Sequence, residues 1–178
     1  MKIIKTPIKG LKIIKQINNI DKRGSLRETH DQRIVNFNKF IFEYCTSSKK
    51  GVVRGFHFQI KQKQAKYVSV IKGAILDCVI DLRKNSKTFG KTFKIVLSDK
   101  NCLSLYIPEG FAHAYYSYKT DNIIYYKLSN YYAPKYESGI LWNDETLNLK
   151  WPKKNPEVSR KDKKLKTFKE FLKRYKYL

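Results

Sequence analysis

The middle of the chain consists of short apolar runs separated by turn signals, and this rhythm restricts the fold more than any other feature. Residues 67–71 and 74–80 are rich in β-branched and aromatic side chains, and a Lys-Gly pair separates them. Similar runs follow at residues 92–97, 102–107, 114–118 and 123–127. Many short strands at close spacing predict a β-sandwich or closed barrel rather than alternating strands and helices.

The apolar pattern changes near the C-terminus. Leu165, Phe168, Leu172 and Tyr175 recur at every third or fourth position, which is the spacing of one face of an α-helix. We therefore predict an amphipathic helix at about residues 161–176, with its apolar side on the β-structure and its lysines in solvent.

Length and composition favour one domain comprising residues 1–178, because the chain has no linker-like segment and no internal repeat. The three cysteines form no Cys-x-x-Cys pair, which argues against a disulfide framework and a thiolate zinc site. No run approaches the roughly 20 apolar residues of a membrane span. Lysines interrupt the N-terminal isoleucines, unlike in a secretory signal. We expect a cytoplasmic protein without a membrane partner.

The formal net charge of +23 is the main argument for a polyanion-binding protein. However, the basic residues are spread along the whole chain, and the aromatic residues follow strand patterns without an RNA-binding signature. We therefore expect no nucleic-acid partner and keep noncatalytic polyanion binding as an alternative. A positive surface would also attract a substrate that carries a diphosphate.

Two of the three histidines lie in apolar-aromatic segments beside glycine-rich turns. His57 lies within residues 51–59, and His113 ends the segment 107–113. Imidazole titrates near neutral pH and can accept a proton from a carbon beside a carbonyl group. These two positions are therefore our first candidates for catalysis.

The motifs around these histidines resemble those of the dTDP-4-dehydrorhamnose 3,5-epimerase family over residues 21–162. They are Arg54-Gly-Phe-His57, Lys66, the run at 81–91, Ile107-Pro-Glu-Gly-Phe-Ala-His113 and Tyr131-Tyr-Ala-Pro134. The resemblance implies an all-β, cupin-type jelly roll or β-barrel with a short C-terminal helical segment. It also implies a homodimer that acts without a cofactor on a nucleotide-diphosphate 4-keto sugar.

The resemblance assigns four catalytic roles. His57 would be the base, and Asp162 in Ser159-Arg-Lys-Asp162 would orient it. Lys66 would face the keto oxygen and stabilise the enolate. Tyr126 would return a proton from the opposite face of the sugar. Its neighbour Tyr125 would point the other way from a β-strand.

The resemblance also assigns substrate binding. His113 would line the sugar pocket, and arginine suits phosphate oxygens because its planar fork binds them bidentately. The segment containing Arg23 can belong to the partner subunit, so the predicted homodimer exchanges its N-terminal segments. The predicted substrate-binding residues are Arg23, Glu28, Arg54, His113 and Tyr132.

One departure from the family pattern concerns the nucleotide. Members that use dTDP usually carry a Gln-Asp-Asn-like segment where this chain has Phe42-Glu43-Tyr44. Our main hypothesis is therefore an epimerase of surface-polysaccharide (capsule or lipopolysaccharide) synthesis that acts on a GDP-linked 4-keto-6-deoxy sugar or 4-keto-heptose. The alternatives are dTDP-4-dehydrorhamnose 3,5-epimerase proper and a nucleotide-sugar 3,4-ketoisomerase. Inversion at C3, at C5 or at both carbons stays open.

Metal-dependent cupins are the other enzymes with this fold. They use a His-x-His pair, whereas this chain has His57-Phe-Gln59, and no glutamate follows within the next forty residues. Two histidines are too few for a stable metal site. We expect no metal.

Overall fold

A computed structural model describes residues 1–178, which form fourteen β-strands, one α-helix and two single-turn 3-10 helices. The strands are β1 (Lys2–Lys5), β2 (Lys12–Lys15), β3 (Ile17–Asp21), β4 (Gly24–Glu28), β5 (Phe42–Ser48), β6 (Val52–Gln59), β7 (Lys66–Lys72), β8 (Ala74–Asp81), β9 (Thr92–Ser98), β10 (Leu103–Ile107), β11 (Phe111–Ser117), β12 (Asn122–Leu128), β13 (Glu137–Gly139) and β14 (Glu157–Val158). The helix α1 is Phe168–Tyr175, and the 3-10 helices are Pro134–Tyr136 and Asp162–Lys164.

Most strands belong to two sheets. The first has the order β1-β2-β10-β7-β12-β5, and the second has the order β13-β6-β11-β8-β9 with β14 added in parallel beside β6. Strands β3 and β4 form a separate hairpin. The mainly β, jelly-roll prediction is confirmed. Both sheets have free edges, so the open sandwich is found rather than a closed barrel.

The main core lies between the two sheets. Leu105 and Ile124 from the first sheet pack with Ile75 and Val79 from the second, and all four are fully buried. Burying each such side chain contributes roughly 1.5–3 kcal/mol relative to leaving it exposed. This core fixes the distance between the two facing sheets. It therefore also fixes the distance between side chains that project from the two sheets towards each other.

A second core covers the outer face of the second sheet. Strand β11 is buried along its whole length, with Phe111 and Tyr115 on the inner core and Ala112 and Ala114 on the outer one. Phe171 of helix α1 closes the outer core and packs edge-on against Phe58 of β6 at a ring-centroid distance of 5.6 Å. The predicted role of the C-terminal helix as a cover for the β-structure is therefore observed.

The predicted start of this helix was wrong. The α-helix begins at Phe168 rather than near residue 161, because Thr167 and Glu170 form a capping box at its N-terminus. The preceding segment holds a 3-10 turn, and its first residue, Asp162, is buried by a contact with the second sheet. Tertiary contacts therefore override the helical spacing that begins at Leu165.

All three thiols are free, with Cys78 and Cys102 buried and Cys45 exposed. None of the helices combines the length and the apolar character that crossing a membrane requires. The single-domain organisation stays a prediction.

Candidate functional site

A pocket of about 300 Å³ lies between the two sheets. This volume lies at the lower end of the range of small-molecule sites. Its walls come from both sheets and from the segment that follows β14. The lining residues are Tyr44, Thr46, Arg54, His57, Lys66, His113, Tyr115, Tyr126, Ser159, Lys161 and Asp162.

Strand pairing brings the two motif histidines together. His57 of β6 and His113 of β11 are directly paired residues in the second sheet. Lys66 of β7 and Tyr126 of β12 project from the facing sheet. The structure therefore gathers His57, Lys66, His113 and Tyr126 in one pocket, although the chain spaces them over about 70 residues.

His57 forms a dyad with Asp162. Its Nε2 lies 2.7 Å from Asp162 Oδ1, and the backbone N–H of Gly55 donates to the other carboxylate oxygen at 3.2 Å. Burial alone would raise the pKa of Asp162, but these hydrogen bonds and the charge of His57 lower it below its ordinary value. An ionised Asp162 holds a proton on Nε2 of His57, which leaves Nδ1 able to accept a proton.

Gly55 makes this geometry possible. Its φ of +118° disfavours other residues, and an added Cβ would lie 2.5 Å from both Ala114 Cβ and the His113 carbonyl oxygen. Strand β6 can therefore pass close to β11 at this point, where the pairing also shifts register between His113 and Tyr115. The backbone conformation and the close approach of β11 therefore require a glycine at this position of the Arg54-Gly-Phe-His57 motif.

Lys66 is one of three basic residues that line the pocket, together with Arg54 and Lys161. Desolvation by the surrounding protein lowers the pKa of its amine to about 8, while the charges of Asp77 and Glu137 oppose that change. The amine therefore stays mostly protonated at neutral pH. A cation in a pocket with little water can stabilise a developing oxyanion far better than one in bulk water.

Tyr126 supplies a phenol on the wall that faces His57. It is buried, and burial raises its pKa well above the ordinary value, so the hydroxyl keeps its proton at neutral pH. The ring of Tyr44 stacks on it at 4.8 Å. Tyr125 points to the other face of the strand, where its hydroxyl bonds to Glu43, as the alternation of a strand requires.

His113 is also paired with a carboxylate. Its Nε2 lies 2.8 Å from Asp77 Oδ2, and both side chains are almost fully buried. The second oxygen of Asp77 has no hydrogen-bond partner. This buried negative charge helps to keep Lys66 protonated. His57 and His113 thus each lie against one aspartate.

Of the predicted substrate-binding residues, Arg54 and His113 line the pocket and Tyr132 lies close to it. Arg54 Nε donates to Ser48 Oγ at 3.0 Å. The Tyr132 hydroxyl donates to Glu137 at 2.7 Å, and Glu137 pairs with Lys161 in the pocket wall.

Arg23 and Glu28 do not reach this pocket. They lie on the β3–β4 hairpin, where Arg23 pairs with Asp21. The same hairpin leaves Ile20 and Leu26 exposed at 76% and 64%. Within one chain, these two predicted substrate-binding residues are separate from the site.

The 81–91 motif has a structural role at the start of strand β11. Buried Asp81 accepts hydrogen bonds from Arg83, Ser86 and Thr88. Burial alone would raise the pKa of Asp81, but these bonds lower it. The Arg83 guanidinium stacks on Phe111, 4.5 Å from the ring centre. The motif therefore braces the start of β11, the strand that carries His113.

Several pocket residues were missed by sequence reasoning. Thr46 shares the inner face of β5 with Tyr44 of the nucleotide segment, and this alternation was a signal available in the sequence. The buried partner of His113, Asp77, does not line the pocket and was also missed, although an acidic residue within an apolar strand is rarely buried without a partner. Tyr115 had no sequence feature that distinguished it from the other twelve tyrosines.

No group of three or more His, Cys, Asp or Glu side chains converges so that it could hold a metal ion. The Nε2 atoms of both pocket histidines instead face aspartate oxygens.

Comparisons with known proteins identify relatives of the whole chain. The family model described as dTDP-4-dehydrorhamnose 3,5-epimerase matches residues 5–170. The enzyme of that name from Methanothermobacter thermautotrophicus is 38% identical over 176 residues, which is 95% of each chain.

Two crystal structures of such epimerases are also similar. One, from Bacillus anthracis with TDP and pyrophosphate bound, has a TM-score of 0.90 at 34% identity and covers 93% of this chain and 98% of its own. The other, a dTDP-6-deoxy-D-glucose-3,5-epimerase from Legionella pneumophila in complex with dTDP-4-keto-L-rhamnose, has a TM-score of 0.89 at 35% identity and covers 93% and 92%. The motif resemblance is thereby confirmed, and the chain belongs to the dTDP-4-dehydrorhamnose 3,5-epimerase family, whose members are isomerases.

Proposed function

We propose that the protein inverts C3 and C5 of a dTDP-linked 4-keto-6-deoxy sugar. The observation that carries the proposal is the placement of the His57–Asp162 dyad and the Tyr126 phenol on facing walls of one pocket, with the Lys66 amine between the sheets. A base, an acid and a cation in this arrangement match the needs of epimerisation beside a ketone.

The nucleotide in this proposal differs from our main sequence hypothesis. The change from Gln-Asp-Asn-like residues to Phe42-Glu43-Tyr44 favoured GDP, whereas the related structures hold TDP or a dTDP-linked sugar. The relatives therefore favour the alternative, the dTDP-linked substrate. The aromatic side chains of Phe42 and Tyr44, which pack against each other at 5.8 Å, would then replace the amide contacts to the base with ring contacts.

The reaction follows from the protonation states of the site. The Nδ1 atom of His57 takes the proton from the carbon beside the carbonyl, and the electron pair of that C–H bond forms the enolate. The Lys66 ammonium stabilises the enolate oxygen. The Tyr126 phenol then gives its proton to the same carbon from the opposite face, so the configuration inverts. His57 finally releases its proton to solvent, and Tyr126 regains one.

We also propose that the protein is a homodimer in which the β3–β4 hairpin of one subunit reaches the pocket of the other. Two observations support this arrangement. Arg23 and Glu28 do not reach the pocket of their own chain, and the hairpin exposes the apolar side chains of Ile20 and Leu26. Exposed apolar side chains of this kind are suited to contact with a partner. The cytoplasmic location and the role in surface-polysaccharide synthesis stay predictions.

The test of the reaction is deuterium uptake in D₂O without added metal, measured by mass spectrometry. We expect dTDP-4-keto-6-deoxyglucose to gain two deuterium atoms and its GDP analogue to gain none. One deuterium would restrict the reaction to a single carbon. The His57→Asn variant is the control and should lose about 10²–10⁴-fold of the exchange rate. No uptake by the wild-type protein from either sugar would contradict the proposal.

A further inference from the structure

The Tyr126 ring lies between two other rings of the pocket. Tyr44 stacks on it nearly parallel, with the ring centres 4.8 Å apart and the ring planes at 25°. On the other side the His113 ring meets it at 67°, with the ring centres 6.0 Å apart. His113 is itself held by Asp77 at 2.8 Å. One side chain from each sheet therefore bounds the phenol ring.

Strand register produces the stacked pair. Tyr44 and Tyr126 are directly paired residues on the neighbouring strands β5 and β12, and the side chains of directly paired residues lie on one face of a sheet and contact each other. Strand β5 is the edge of the first sheet, and Tyr44 is 38% exposed whereas Tyr126 is 4% exposed. Tyr44 therefore lies between the phenol and the edge of the sheet.

The position of the Tyr126 hydroxyl depends on these ring contacts. No hydrogen bond within the chain ends on this hydroxyl, and the Thr46 hydroxyl, which lines the same pocket, lies 3.2 Å from the Tyr115 hydroxyl instead. A free hydroxyl on the pocket wall can donate to a substrate, but rotation of the side chain would carry it away. A misplacement of about 1 Å can cost an enzyme about 10²-fold in rate.

Tyr44 belongs to the segment in which this chain departs from its family. The Gln-Asp-Asn-like residues that are usual in members that use dTDP are replaced by Phe42-Glu43-Tyr44. A side-chain amide has no ring that could stack on Tyr126. The stacked pair is therefore a feature of this chain rather than of that pattern.

We propose that Tyr44 is a positioning residue that holds the Tyr126 phenol where it can protonate the enolate on the face opposite His57. This inference rests on the proposed epimerase function. Tyr44 itself transfers no proton, and its flat ring restricts the Tyr126 ring from the side opposite His113. Loss of the Tyr44 ring should therefore impair reprotonation by Tyr126 and spare proton abstraction by His57, which projects from the other sheet.

The enolate has two fates that can be counted separately. A proton from Tyr126 gives the inverted carbon, whereas a proton returned by His57 restores the original configuration. The electron pair of the enolate forms the new bond to hydrogen in both cases. In D₂O, the proton that His57 has taken can exchange with solvent before it returns, so the second fate yields starting sugar that contains deuterium. The ratio of this sugar to inverted product measures how well Tyr126 competes with His57.

The test is this ratio in Tyr44→Leu, with dTDP-4-keto-6-deoxyglucose at saturating concentration in D₂O and at low conversion. Mass spectrometry counts the deuterium, and proton NMR distinguishes the sugars and treats C3 and C5 separately. We expect the ratio to rise about 10-fold, a part of the effect of a general acid, while total deuterium uptake stays near the wild-type rate. Loss of a contact between Tyr44 and the base would raise KM but would not change the ratio, because the two fates divide after binding and abstraction.

Three further variants separate the ring from other effects. Tyr44→Phe keeps the ring without the hydroxyl and should keep the wild-type ratio. Tyr44→Val also lacks the ring but suits a strand, and it should shift the ratio as Tyr44→Leu does. Tyr126→Phe lacks the acid and should exchange deuterium without inversion. Thermal melts verify that each variant is folded.

An unchanged ratio in folded Tyr44→Leu and Tyr44→Val would overturn the positioning role. An equal loss of exchange and inversion would also overturn it, and so would a shift of the same size in Tyr44→Phe. These results with an active wild-type enzyme leave the epimerase proposal intact. Inversion at the wild-type rate in Tyr126→Phe would overturn the acid role of Tyr126 and this inference with it. A wild-type protein that neither converts the sugar nor exchanges deuterium would instead overturn the proposed function and, with it, the role of Tyr44.

Discussion

At the scale of single residues, three environments give three protonation states at neutral pH. Hydrogen bonds keep Asp162 ionised, desolvation leaves Lys66 with a pKa of about 8, and burial keeps the Tyr126 phenol protonated. The pocket therefore holds an anion that supports a base, a cation and an acid at the same pH. Groups whose surroundings separate their pKa values in this way are typical of acid–base catalysis.

The charge of Asp162 can be removed while its shape is kept. In Asp162→Asn, the amide oxygen can still accept from His57 Nε2, but it no longer stabilises the imidazolium that forms when His57 takes a proton. We expect kcat to fall about 10²-fold or more with little change in KM. Steady-state kinetics measure this change. The control is Asp121→Asn, which alters an exposed carboxylate. Near-normal kcat would show that the dyad is structural.

The activity should fall as the pH rises through about 8, because neutral Lys66 cannot stabilise the enolate oxygen. This loss is not unfolding. The folded pKa lies below the ordinary 10.5, so the unfolded chain binds more protons between these values, and this group's contribution to the free energy of unfolding rises with pH there. A pH–rate profile tests the loss of activity, and thermal melts at each pH test whether the protein stays folded. The Lys66→Arg variant should shift the alkaline limit upward, and Lys61→Arg should not.

At the scale of elements, the sequence predicted those features that depend only on neighbouring residues. The period-2 alternation of β12 predicted that Tyr125 and Tyr126 point to opposite faces, because it depends only on the strand itself, whereas the choice of Tyr126 for the pocket came from the family resemblance. The helix start could not be predicted in the same way. The 161–167 segment departs from a helix because Asp162 binds His57 and Thr167 begins the capping box, and the first of these contacts joins residues 105 positions apart.

The close approach of β6 and β11 predicts a specific cost for Gly55→Ala. The new Cβ would lie 2.5 Å from Ala114 Cβ, so one strand must move, and His57 would move with it. We expect a loss of about 1–3 kcal/mol in the free energy of unfolding, together with reduced kcat.

Gly51→Ala, outside the hairpin, is the matched control for stability. Gly51 also has positive φ, at +80°, but its added Cβ would meet only the flexible side chain of Lys153, at 3.8 Å. The difference between the two variants in urea unfolding therefore measures the strand contact rather than backbone strain. Equal losses in both would contradict the role that we assign to the close approach.

At the scale of the whole molecule, the site depends on parts that are distant in sequence. Motifs predicted His57, Lys66, Arg54 and His113, and the fold brings them together. Residue patterns alone did not predict that Arg23 and Glu28 lie outside the pocket of their own chain, and the predicted exchange of N-terminal segments came only from the family resemblance. The net charge of +23 belongs to this scale as well, since a field summed over the surface attracts a diphosphate before any contact forms.

Hairpin exchange makes a prediction that only a mixed dimer can test. Arg23→Ala and His57→Asn should each lower the activity when present in both subunits. If the hairpin of one subunit completes the pocket of the other, a mixed dimer of the two variants has one site with both defects and one intact site. If the hairpin serves its own chain, each site of the mixed dimer has one defect.

Mixing the two variants after dissociation should therefore restore activity to about a quarter of the wild-type value, because half of the randomly formed dimers are mixed and each has one intact site of two. Differently tagged subunits verify that mixed dimers form, and light scattering gives the oligomeric state. Mixed dimers without recovered activity would place Arg23 at its own pocket. A monomer in solution would rule out the exchange, because the exposed Ile20 and Leu26 would then have no partner subunit to contact.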